Sequence, residues 1–573
     1  MKTKKLMSIL LCLLFVLAIV AGCAKGDGKE QTADTQDNAV ETPSEADKDT
    51  DSQEEETQDE EIESEDLEPY TFTHYFNYDW WDIKPWGEDE VSKYLSEKFN
   101  IHVEFSKPDA DPEARLNVMI SAGDLPDSIM MDRGTTNENL ARLGHLLPLE
   151  PFMEKNPNLQ ENLLEQTIKG LQIDGKLYGI PNWPRKAPTG GNDAWIYNLR
   201  LYQDAGSPSL ETFEDLYEFA KKIKNEVPTN REGLTTIPMT TDATSDGHRY
   251  ARAFYRSYGG VLVSWYTVLD GDYVLAFRDP VFKEASLEIN KWWREGLIAE
   301  TQFTDTSEQI LEKIVAGRTA LLFYDFSLDE TNHFRRLLKE SFPEDSYELT
   351  EPHVFPPAKG LPPEKIYGDY TSTLGWNVTC ITTNAEKPER IFDLWSYLLT
   401  PEAAILQMYG PQGDYWDELD EDGLPILKKP ESELTTEEIN RLGLWFWMIP
   451  GHSDNVDTVK FAVNAKLPPD KQNWVITNQS ERVTPTKWLT DEFENIGVVI
   501  DPQSDLGIQR KLIEDHIVAE YPKMIMAGSA EEAERIYDDI LKFAEENGIA
   551  DIEAEYTKKY QENVKLFGTG LTK

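Results

Sequence analysis

The order of apolar and polar positions after residue 67 predicts alternating strands and helices. The residues at 70–76 have strand composition, apolar and polar residues alternate at 101–105, and a mostly apolar run occupies 128–131, so three strands are predicted there. Helical spacing of apolar residues at 88–99 and 112–122 separates these strands. This order is typical of an α/β layer with parallel strands.

Further along the chain, capping residues mark where helices begin and end. Ser529 and Glu532 have capping-box spacing, and Gly548 suits the end of the helix that follows. Asp279 followed by Pro280 predicts another helix start. No internal repeat of solenoid length is present.

The first 22 residues have the pattern of an export signal. Three lysines among the first five residues precede an apolar run at 6–20, which is short for a membrane-spanning helix. The sequence Val-Ala-Gly-Cys at 20–23 resembles the lipobox of bacterial lipoprotein signal peptides. The resemblance implies a lipoprotein signal peptide at 1–22, cleavage before Cys23 and lipidation of that cysteine. The alternative is an ordinary secretory signal in which Cys23 has no role.

Residues 23–68 are predicted to be the lipidated cysteine followed by a disordered acidic tether. Between 27 and 68 there are 19 Asp or Glu residues, two lysines and no aromatic residue. Such a segment buries too little apolar surface to offset the entropy of ordering, and its like charges extend it. We interpret it as a spacer that holds a folded body away from a membrane, and a specific acidic recognition role is the alternative.

Composition excludes some partners. The 573 residues include 105 acidic and 56 basic side chains, a formal charge of −49. Nucleic-acid binding needs Lys and Arg for phosphate contacts, so we predict no nucleic-acid partner. Hydrophobic residues make up 39% of the chain, enough for packed cores, and the length favours two or more lobes.

The sequence contains no common catalytic motif. It has no HExxH, CxxC, Walker or GxSxG pattern. Cys380, the only cysteine of the predicted folded part, lies in an apolar run that indicates a buried position. A carboxylate pair for glycoside hydrolysis remains an open possibility among 105 acidic residues.

Several short segments together resemble the extracellular solute-binding proteins of bacterial ABC importers. The best agreement is with the carbohydrate-binding type, family 1, and with its large lipoprotein members from Gram-positive bacteria. The resemblance spans roughly residues 70–565, and its order and spacing are more specific than any single motif. The matching segments are 123–127 (GDLPD), 174–181 (DGKLYGIP), 195–198 (WIYN), 205–225, 294–298 (REGLI), 315–320 (VAGRTA) and 523–528 (KMIMAG).

The resemblance implies a fold and a mechanism of ligand capture. The expected fold is a two-lobed α/β, periplasmic-binding-protein-like fold of type II, with a hinge and a ligand cleft between the lobes. We place the solute-binding domain at 69–573, with lobe 1 at about 69–181 and 320–375 and lobe 2 at about 182–319 and 376–573. Ligand binding would close the lobes, and ABC permease subunits would recognise the closed form.

A sugar site needs flat aromatic rings for the C–H faces of a pyranose and polar groups for its hydroxyls. Adjacent tryptophans in a polar loop after the first strand fit this need, because α/β sheets place ligands beyond their strand ends. Each candidate has a structural alternative, which is packing on its own lobe or capping the next element. The candidate ligand-binding residues are Trp80, Trp81, Asp127, Trp183, Arg185, Trp376 and Trp416.

Other tryptophans are predicted to be structural. Trp292, Trp293 and Trp395 recur with helical spacing, which favours core packing. We expect no cofactor and no metal. Some relatives in the family carry a calcium loop at the position of 228–233, but this segment contains an Arg and lacks the necessary run of oxygen ligands.

These observations predict a lipid-anchored solute-binding subunit on the extracellular face of the cell membrane. Its partners would be an oligosaccharide ligand, the permease and, through Cys23, the membrane; we expect a monomer without enzymatic activity. The alternatives are a peptide or amino-sugar receptor, a surface polysaccharide-degrading enzyme and a surface adhesin.

Overall fold

The structure is a computed structural model that describes residues 67–571, except 82, 325–326, 344–354 and 444–452. The predicted signal peptide, Cys23 and the tether up to residue 66 lie outside the described residues. The last two residues of the predicted tether are held by the folded part. Asn100 donates to the Leu67 carbonyl at 2.6 Å, and Arg390 donates to the Glu68 carbonyl at 3.2 Å.

Two sheets form the framework, and their strands are numbered β1 to β8 in chain order. Strands outside these two sheets are named by their residues. The strands are β1 (Tyr70–Phe76), β2 (Ile101–Ser106), β3 (Ser128–Asp132), β4 (Gly179–Asn182), β5 (Trp195–Tyr197), β6 (Ile237–Thr241), β7 (Thr319–Phe323) and β8 (Asn377–Ile381).

The first sheet has the order β2-β1-β3-β8-β4. Strands β1, β2 and β3 are parallel, as the sequence predicts, and β8 is antiparallel to both β3 and β4. The second sheet has the order β5-β7-β6, with β7 antiparallel to β5 and parallel to β6. We call the parts of the chain packed on these sheets the first lobe and the second lobe.

Two strands lie in lobes other than those predicted. The sequence analysis placed 320–375 in the first lobe and 376–573 in the second, but β7 pairs with second-lobe strands and β8 with first-lobe strands. Both strands are buried at all five positions. A strand that is buried on both faces lies in the centre of a sheet, but its sequence does not indicate which sheet contains it.

Helices cover both lobes and agree with the predicted capping signals. Ser529 accepts from the Glu532 amide, and Asp279 accepts from the Val281 amide. The helices of eight or more residues are α1 (Glu90–Phe99), α2 (Pro112–Ala122), α3 (Thr135–Arg142), α4 (Phe213–Glu226), α5 (His248–Ser257), α6 (Pro280–Arg294), α7 (Ser307–Val315), α8 (Ser327–Ser341), α9 (Pro388–Tyr397), α10 (Pro401–Tyr409), α11 (Asp454–Lys466), α12 (Asp505–Ile525), α13 (Ala530–Glu546) and α14 (Ile549–Phe567).

No helix in the described ranges combines the length and the hydropathy needed to span a bilayer. The tryptophans predicted to be structural do pack in cores. Trp395 is fully buried in the first lobe and Trp292 in the second, whereas Trp293 is partly buried against the second core. Cys380 is also buried, as predicted, and burial raises its pKa to about 12.

His74 lies in the aromatic core of the first lobe. Its Nδ1 is 3.0 Å from the Ser128 hydroxyl, and its ring contacts those of Phe76 and Trp395. Burial lowers the pKa of His74 from 6.5 to about 3. The folded protein therefore keeps this imidazole neutral at pH values at which the unfolded chain takes up a proton.

Stability is expected to fall with acidification because of His74. Between pH 6.5 and pH 3 the unfolded state binds one more proton at this residue, so the free energy of unfolding decreases as pH decreases. From pH 7 to pH 5 the loss is about 2 kcal/mol. Urea denaturation at both pH values checks this, with His74→Gln as the control that lacks the titrating group. Equal losses in the wild type and the variant would contradict the prediction.

Candidate functional site

The carboxyl ends of β1 and β3 meet at one edge of the five-stranded sheet. Trp80 follows β1, Asp132 ends β3 and Trp376 directly precedes β8. Because β8 is antiparallel to β3, with Asn377 opposite Asp132, the start of β8 lies at this same edge. Ligands of α/β proteins bind at such an edge, beyond the carboxyl ends of the strands.

Trp80 and Trp376 form an exposed aromatic surface at this edge, which we call the tryptophan shelf. Their rings are stacked, with centroids 6.0 Å apart and an interplanar angle of 17°. Trp80 is 57% exposed and Trp376 is 40% exposed. Leaving two large rings in water is costly unless something covers them, so the shelf is a candidate contact surface for a ligand.

Tyr78 holds the two tryptophans in place from below. Its ring centroid is 5.3 Å from that of Trp80 and 5.5 Å from that of Trp376. Its hydroxyl donates to the Asp132 carboxylate at 2.7 Å and accepts from the Asn377 amide at 3.0 Å. Burial, with a further contribution from the Asp132 charge, raises the pKa of Tyr78, so its hydroxyl stays protonated and fixes the geometry.

Trp81 faces the interior. It is 1% exposed, and its ring is stacked on Phe76 with centroids 5.3 Å apart and an angle of 15°. Its centroid is 5.2 Å from that of Trp80 and 6.0 Å from that of Trp376. The structure therefore brings three of the predicted residues together, with Trp81 as support and Trp80 and Trp376 as the open faces.

A cavity of about 310 Å³ lies beside Trp80. It is bounded by the loop after β1, the start of α2, the end of β3 and the start of α3. A volume of this size fits a small ligand or one end of a longer one. The lining residues are Asn77, Tyr78, Trp80, Asp111, Pro112, Glu113, Met131, Asp132, Arg133, Gly134, Thr135 and Thr136.

Arg133 joins the two lobes at the side of this cavity. Its Nε and Nη2 donate to the Gly375 carbonyl at 3.1 and 2.6 Å, which fixes the guanidinium next to the shelf. Its Nη1 is 2.8 Å from the Glu494 carboxylate. Glu494 follows Phe493, a core residue of the second lobe, so this ion pair crosses between the lobes.

Asp127 lies away from the cavity. Its carboxylate accepts from the backbone amide and the hydroxyl of Thr73, both at 2.8 Å, and its own amide donates to that hydroxyl at 3.0 Å. Asp127 precedes β3, at the opposite end of the strand from Asp132. In the structure this residue therefore ties β3 to β1, which corresponds to the structural alternative for it.

Trp183 and Arg185 lie in the segment that leads from β4 to β5. Trp183 has a φ of 61°, a left-handed conformation, and the Arg185 guanidinium is 5.3 Å from its ring. Arg185 is buried and pairs with Asp457 and, at 3.6 Å, with Asp454 at the start of α11. Burial opposes ionisation of Asp457, but Arg185 and Lys460 outweigh it and lower the pKa of Asp457.

A second buried ionic group adjoins the first at the junction of the lobes. Asp193 pairs with Arg252 at 3.0 Å and with Arg256 at 3.1 Å, and all three side chains are almost fully buried. Lys487 donates to the Gly190 carbonyl and lies 3.5 Å from Asp369. In the described conformation, buried ion pairs therefore give Arg185 a structural role at the junction of the lobes.

At Gly375, the segment that leads into β8 closely approaches the segment that leaves β4. It has a φ of 73°, and a Cβ there would lie 2.3 Å from the Asn182 carbonyl oxygen. The Trp376 amide donates to that same carbonyl at 2.9 Å. A glycine at this position thus lets the end of β4 and the start of β8 meet directly beneath the shelf.

The structure does not bring Trp416 to the shelf. Trp416 is buried, its Nε1 donates to the Gly410 carbonyl at 3.0 Å, and it packs in a separate cluster with Met408 and Val459. It begins a short hairpin strand, Trp416–Leu419, which follows α10. Trp416 follows the glycines that come after α10, a position at which the sequence favours an exposed side chain. In the structure, the hairpin turns this ring back onto the helix.

Sequence analysis missed Tyr78, Asp132, Arg133 and Glu494. A signal for Asp132 and Arg133 was present, because polar residues directly after a parallel strand lie at the ligand edge. Glu494 had no such signal, since it lies about 360 residues away and reaches Arg133 only through the packing of the lobes.

Among the described residues, no group of three or more His, Cys, Asp or Glu side chains is placed to hold a metal ion. At the loop 228–233, Arg231 pairs with Asp204 at 3.2 Å, and Asn230 accepts from the Leu234 amide.

The comparisons with known proteins agree on one protein family. The profile of bacterial extracellular solute-binding proteins matches residues 91–415, more than half of the chain. The polygalacturonan/rhamnogalacturonan-binding protein YtcQ of Bacillus subtilis (strain 168) is 22% identical over 444 residues, which cover 74% of this chain and 85% of YtcQ. The fructooligosaccharide ABC transporter substrate-binding protein FusA of Streptococcus pneumoniae serotype 4 is 26% identical over 232 residues, 38% of this chain and 43% of FusA.

Solved structures agree on the fold. FusA of S. pneumoniae in complex with kestose matches with a TM-score of 0.62 at 20% identity, over 86% of this chain and 99% of that one. An extracellular solute-binding protein from Bifidobacterium longum subsp. infantis matches with a TM-score of 0.63 at 16% identity, over 86% and 98%. The predicted two-lobed α/β fold is therefore confirmed. With the profile match over residues 91–415, the chain belongs to the family of bacterial extracellular solute-binding proteins.

Proposed function

We propose that this chain is the extracellular receptor of an ABC importer and that it captures an oligosaccharide on the tryptophan shelf. The observation that carries the proposal is the exposed, stacked pair of Trp80 and Trp376 at the ligand edge of the first sheet. The C–H faces of a sugar ring pack against flat aromatic faces, and its hydroxyls need polar partners close by. Asp132 and Arg133 supply such partners beside the shelf.

The two relatives named above support a carbohydrate as the class of ligand. One is named for binding polygalacturonan and rhamnogalacturonan, and the other for fructooligosaccharides. These sugars differ in ring, linkage and charge, so what they share is their chemical class. The shelf suits that class because an aromatic face binds sugars of many kinds.

Closure of the lobes would couple capture to transport. The Arg133–Glu494 ion pair crosses between the lobes beside the cavity, so a ligand on the shelf adjoins one of the contacts between the lobes. A ligand that contacts both lobes favours the closed form by its difference in affinity for the closed and open forms. We propose that permease subunits recognise this closed form, and that the receptor acts as a monomer.

The lipobox-like sequence supports attachment to the membrane through Cys23. Lipid on this residue would hold the receptor on the extracellular face of the cell membrane, with residues 24–68 as the spacer. Stable anchoring needs more than one acyl chain, as lipoproteins have, because each buried CH₂ contributes only about 0.8 kcal/mol.

A thermal-shift screen of the purified protein against glycans and peptides tests the proposal. A ligand at one hundred times its Kd stabilises the native state by about 2.7 kcal/mol, which raises the Tm measurably. We expect a shift with one class of oligosaccharide and no change in that sugar by chromatography. A shift with peptides alone would favour the peptide receptor, and release of reducing ends would favour a polysaccharide-degrading enzyme.

A further inference from the structure

The charged side chains that line the cavity beside Trp80 are mostly acidic. Asp111, Glu113 and Asp132 contribute three carboxylates, and Arg133 contributes the one lining cation. All three carboxylates are exposed, so a ligand in the cavity meets them directly. An anionic ligand would therefore bring its charge close to three like charges.

Arg133 is already committed to other partners. Two of its nitrogens donate to the Gly375 carbonyl, and a third pairs with Glu494 at 2.8 Å. A ligand carboxylate would have to compete with Glu494 for this guanidinium, and the displaced Glu494 would add a further negative charge. The arginine therefore does not offset the repulsion from the acidic lining.

The neighbouring cation Lys107 is also engaged. Its ammonium donates to the Asp79 carbonyl at 2.8 Å, next to Trp80 in the chain, and Lys107 is not among the residues that line the cavity. Asp79 carries a carboxylate of its own, so this corner of the loop has no excess of positive charge.

The hydrogen-bonding groups of the cavity also disfavour an anionic ligand. Asn77 lines the cavity, and its side-chain oxygen is buried without a hydrogen-bond partner among the described residues. The three carboxylates add charged acceptors against one charged donor, Arg133, and the lining hydroxyls of Thr135 and Thr136 can either donate or accept. A sugar hydroxyl donates a hydrogen bond to such acceptors, whereas a ligand carboxylate offers only more acceptors.

We infer that the cargo is a neutral oligosaccharide, not one built from uronic acids. This inference rests on the proposed function and names the class of sugar for the same site. It differs from what the name of YtcQ would suggest, because that relative binds the acidic polymer polygalacturonan. The difference follows from the lining of this chain, in which carboxylates surround an aromatic shelf.

Calorimetry on the full-length protein with neutral and acidic probes tests the inference. The neutral probes are kestose, xylotriose and mannotriose, and the acidic probes are trigalacturonate and an alginate triuronate. We expect the tightest ligand to be neutral, with at least tenfold higher affinity than any acidic probe. An acidic probe as the tightest ligand would overturn the inference and leave the proposed function standing. Silence toward every glycan would count against both, and binding of peptides alone in the thermal-shift screen would identify the proposed function as the part that failed.

Variants distinguish the local charges from the overall charge of the protein. Asp111→Asn with Glu113→Gln removes two lining charges and keeps side chains that can cap α2 and bond to Thr136. We expect this variant to bind trigalacturonate about threefold to tenfold more tightly at low salt, and 0.5 M NaCl to reduce the gain. Asp109→Asn, which removes a nearby charge outside the lining, is the matched control. An equal gain in both would refute the assignment to the cavity.

Discussion

Replacing Trp395 with alanine is expected to lower the free energy of unfolding by about 3–5 kcal/mol. The side chain is fully buried in the core of the first lobe, and its ring meets Phe72 edge to face, with centroids 5.7 Å apart and an angle of 82°. Its Nε1 also donates to the Ser128 hydroxyl at 3.3 Å. Alanine would leave a cavity between α9 and the sheet and would remove one hydrogen bond from Ser128, whose hydroxyl also contacts His74.

Trp80→Ala provides the matched control, because the same side chain is removed from an exposed position of the same lobe. It should cost less than about 1 kcal/mol, since surface substitutions away from packed cores have small effects. Urea denaturation followed by fluorescence measures both values. If Trp80→Ala destabilised the protein as much as Trp395→Ala, the shelf would be part of the core and not a free surface.

The sequence was sufficient to predict the start of the fold. The strand composition at 70–76, the alternation at 101–105 and the mostly apolar run at 128–131 correspond to β1, β2 and β3, because residues of these types suit buried strand positions. It was not sufficient for β7 and β8. Both are central strands with five buried positions, and their sheets are chosen by long-range packing that leaves no local periodicity.

For the candidate site, residue type and local position were sufficient to predict some of the residues that form it. Trp80 was predicted because adjacent tryptophans in a polar loop after a strand are hard to bury, and Trp376 because it lies where the chain was expected to cross between the lobes. The direction of each ring could not be predicted, and so Trp81 was grouped with Trp80 although it faces Phe76 inside the lobe. Trp416 illustrates the same limit, because a short hairpin turns its ring toward α10.

Polar candidates were harder to interpret than aromatic ones. Arg185 has the residue type expected of a sugar site, but it pairs with Asp457 at the junction. Arg133, which does line the cavity, was missed. The two arginines differ in what the fold brings to them from distant parts of the chain, and this information is absent from the local sequence.

The largest effect on binding is expected when both rings of the shelf are removed. Truncation of one well-packed aromatic contact costs about 2 kcal/mol, which is about thirtyfold in Kd. We expect Trp80→Ala and Trp376→Ala each to have this effect on the oligosaccharide identified in the screen. The double variant should lose between about 100-fold and 1000-fold, because the stacked rings support each other and their effects are not fully additive.

Calorimetry on the two single variants and the double variant measures these losses, and the Tm without ligand shows whether the fold is intact. Trp80→Phe and Trp376→Phe keep an aromatic face and should retain most of the affinity, which separates a stacking role from a general loss of volume. Wild-type affinity in the double variant, with an unchanged Tm, would show that the ligand binds elsewhere in the cleft. Equal losses in the Phe and Ala variants would instead indicate that the indole ring itself is required, as expected if its larger face or its N–H group contacts the sugar.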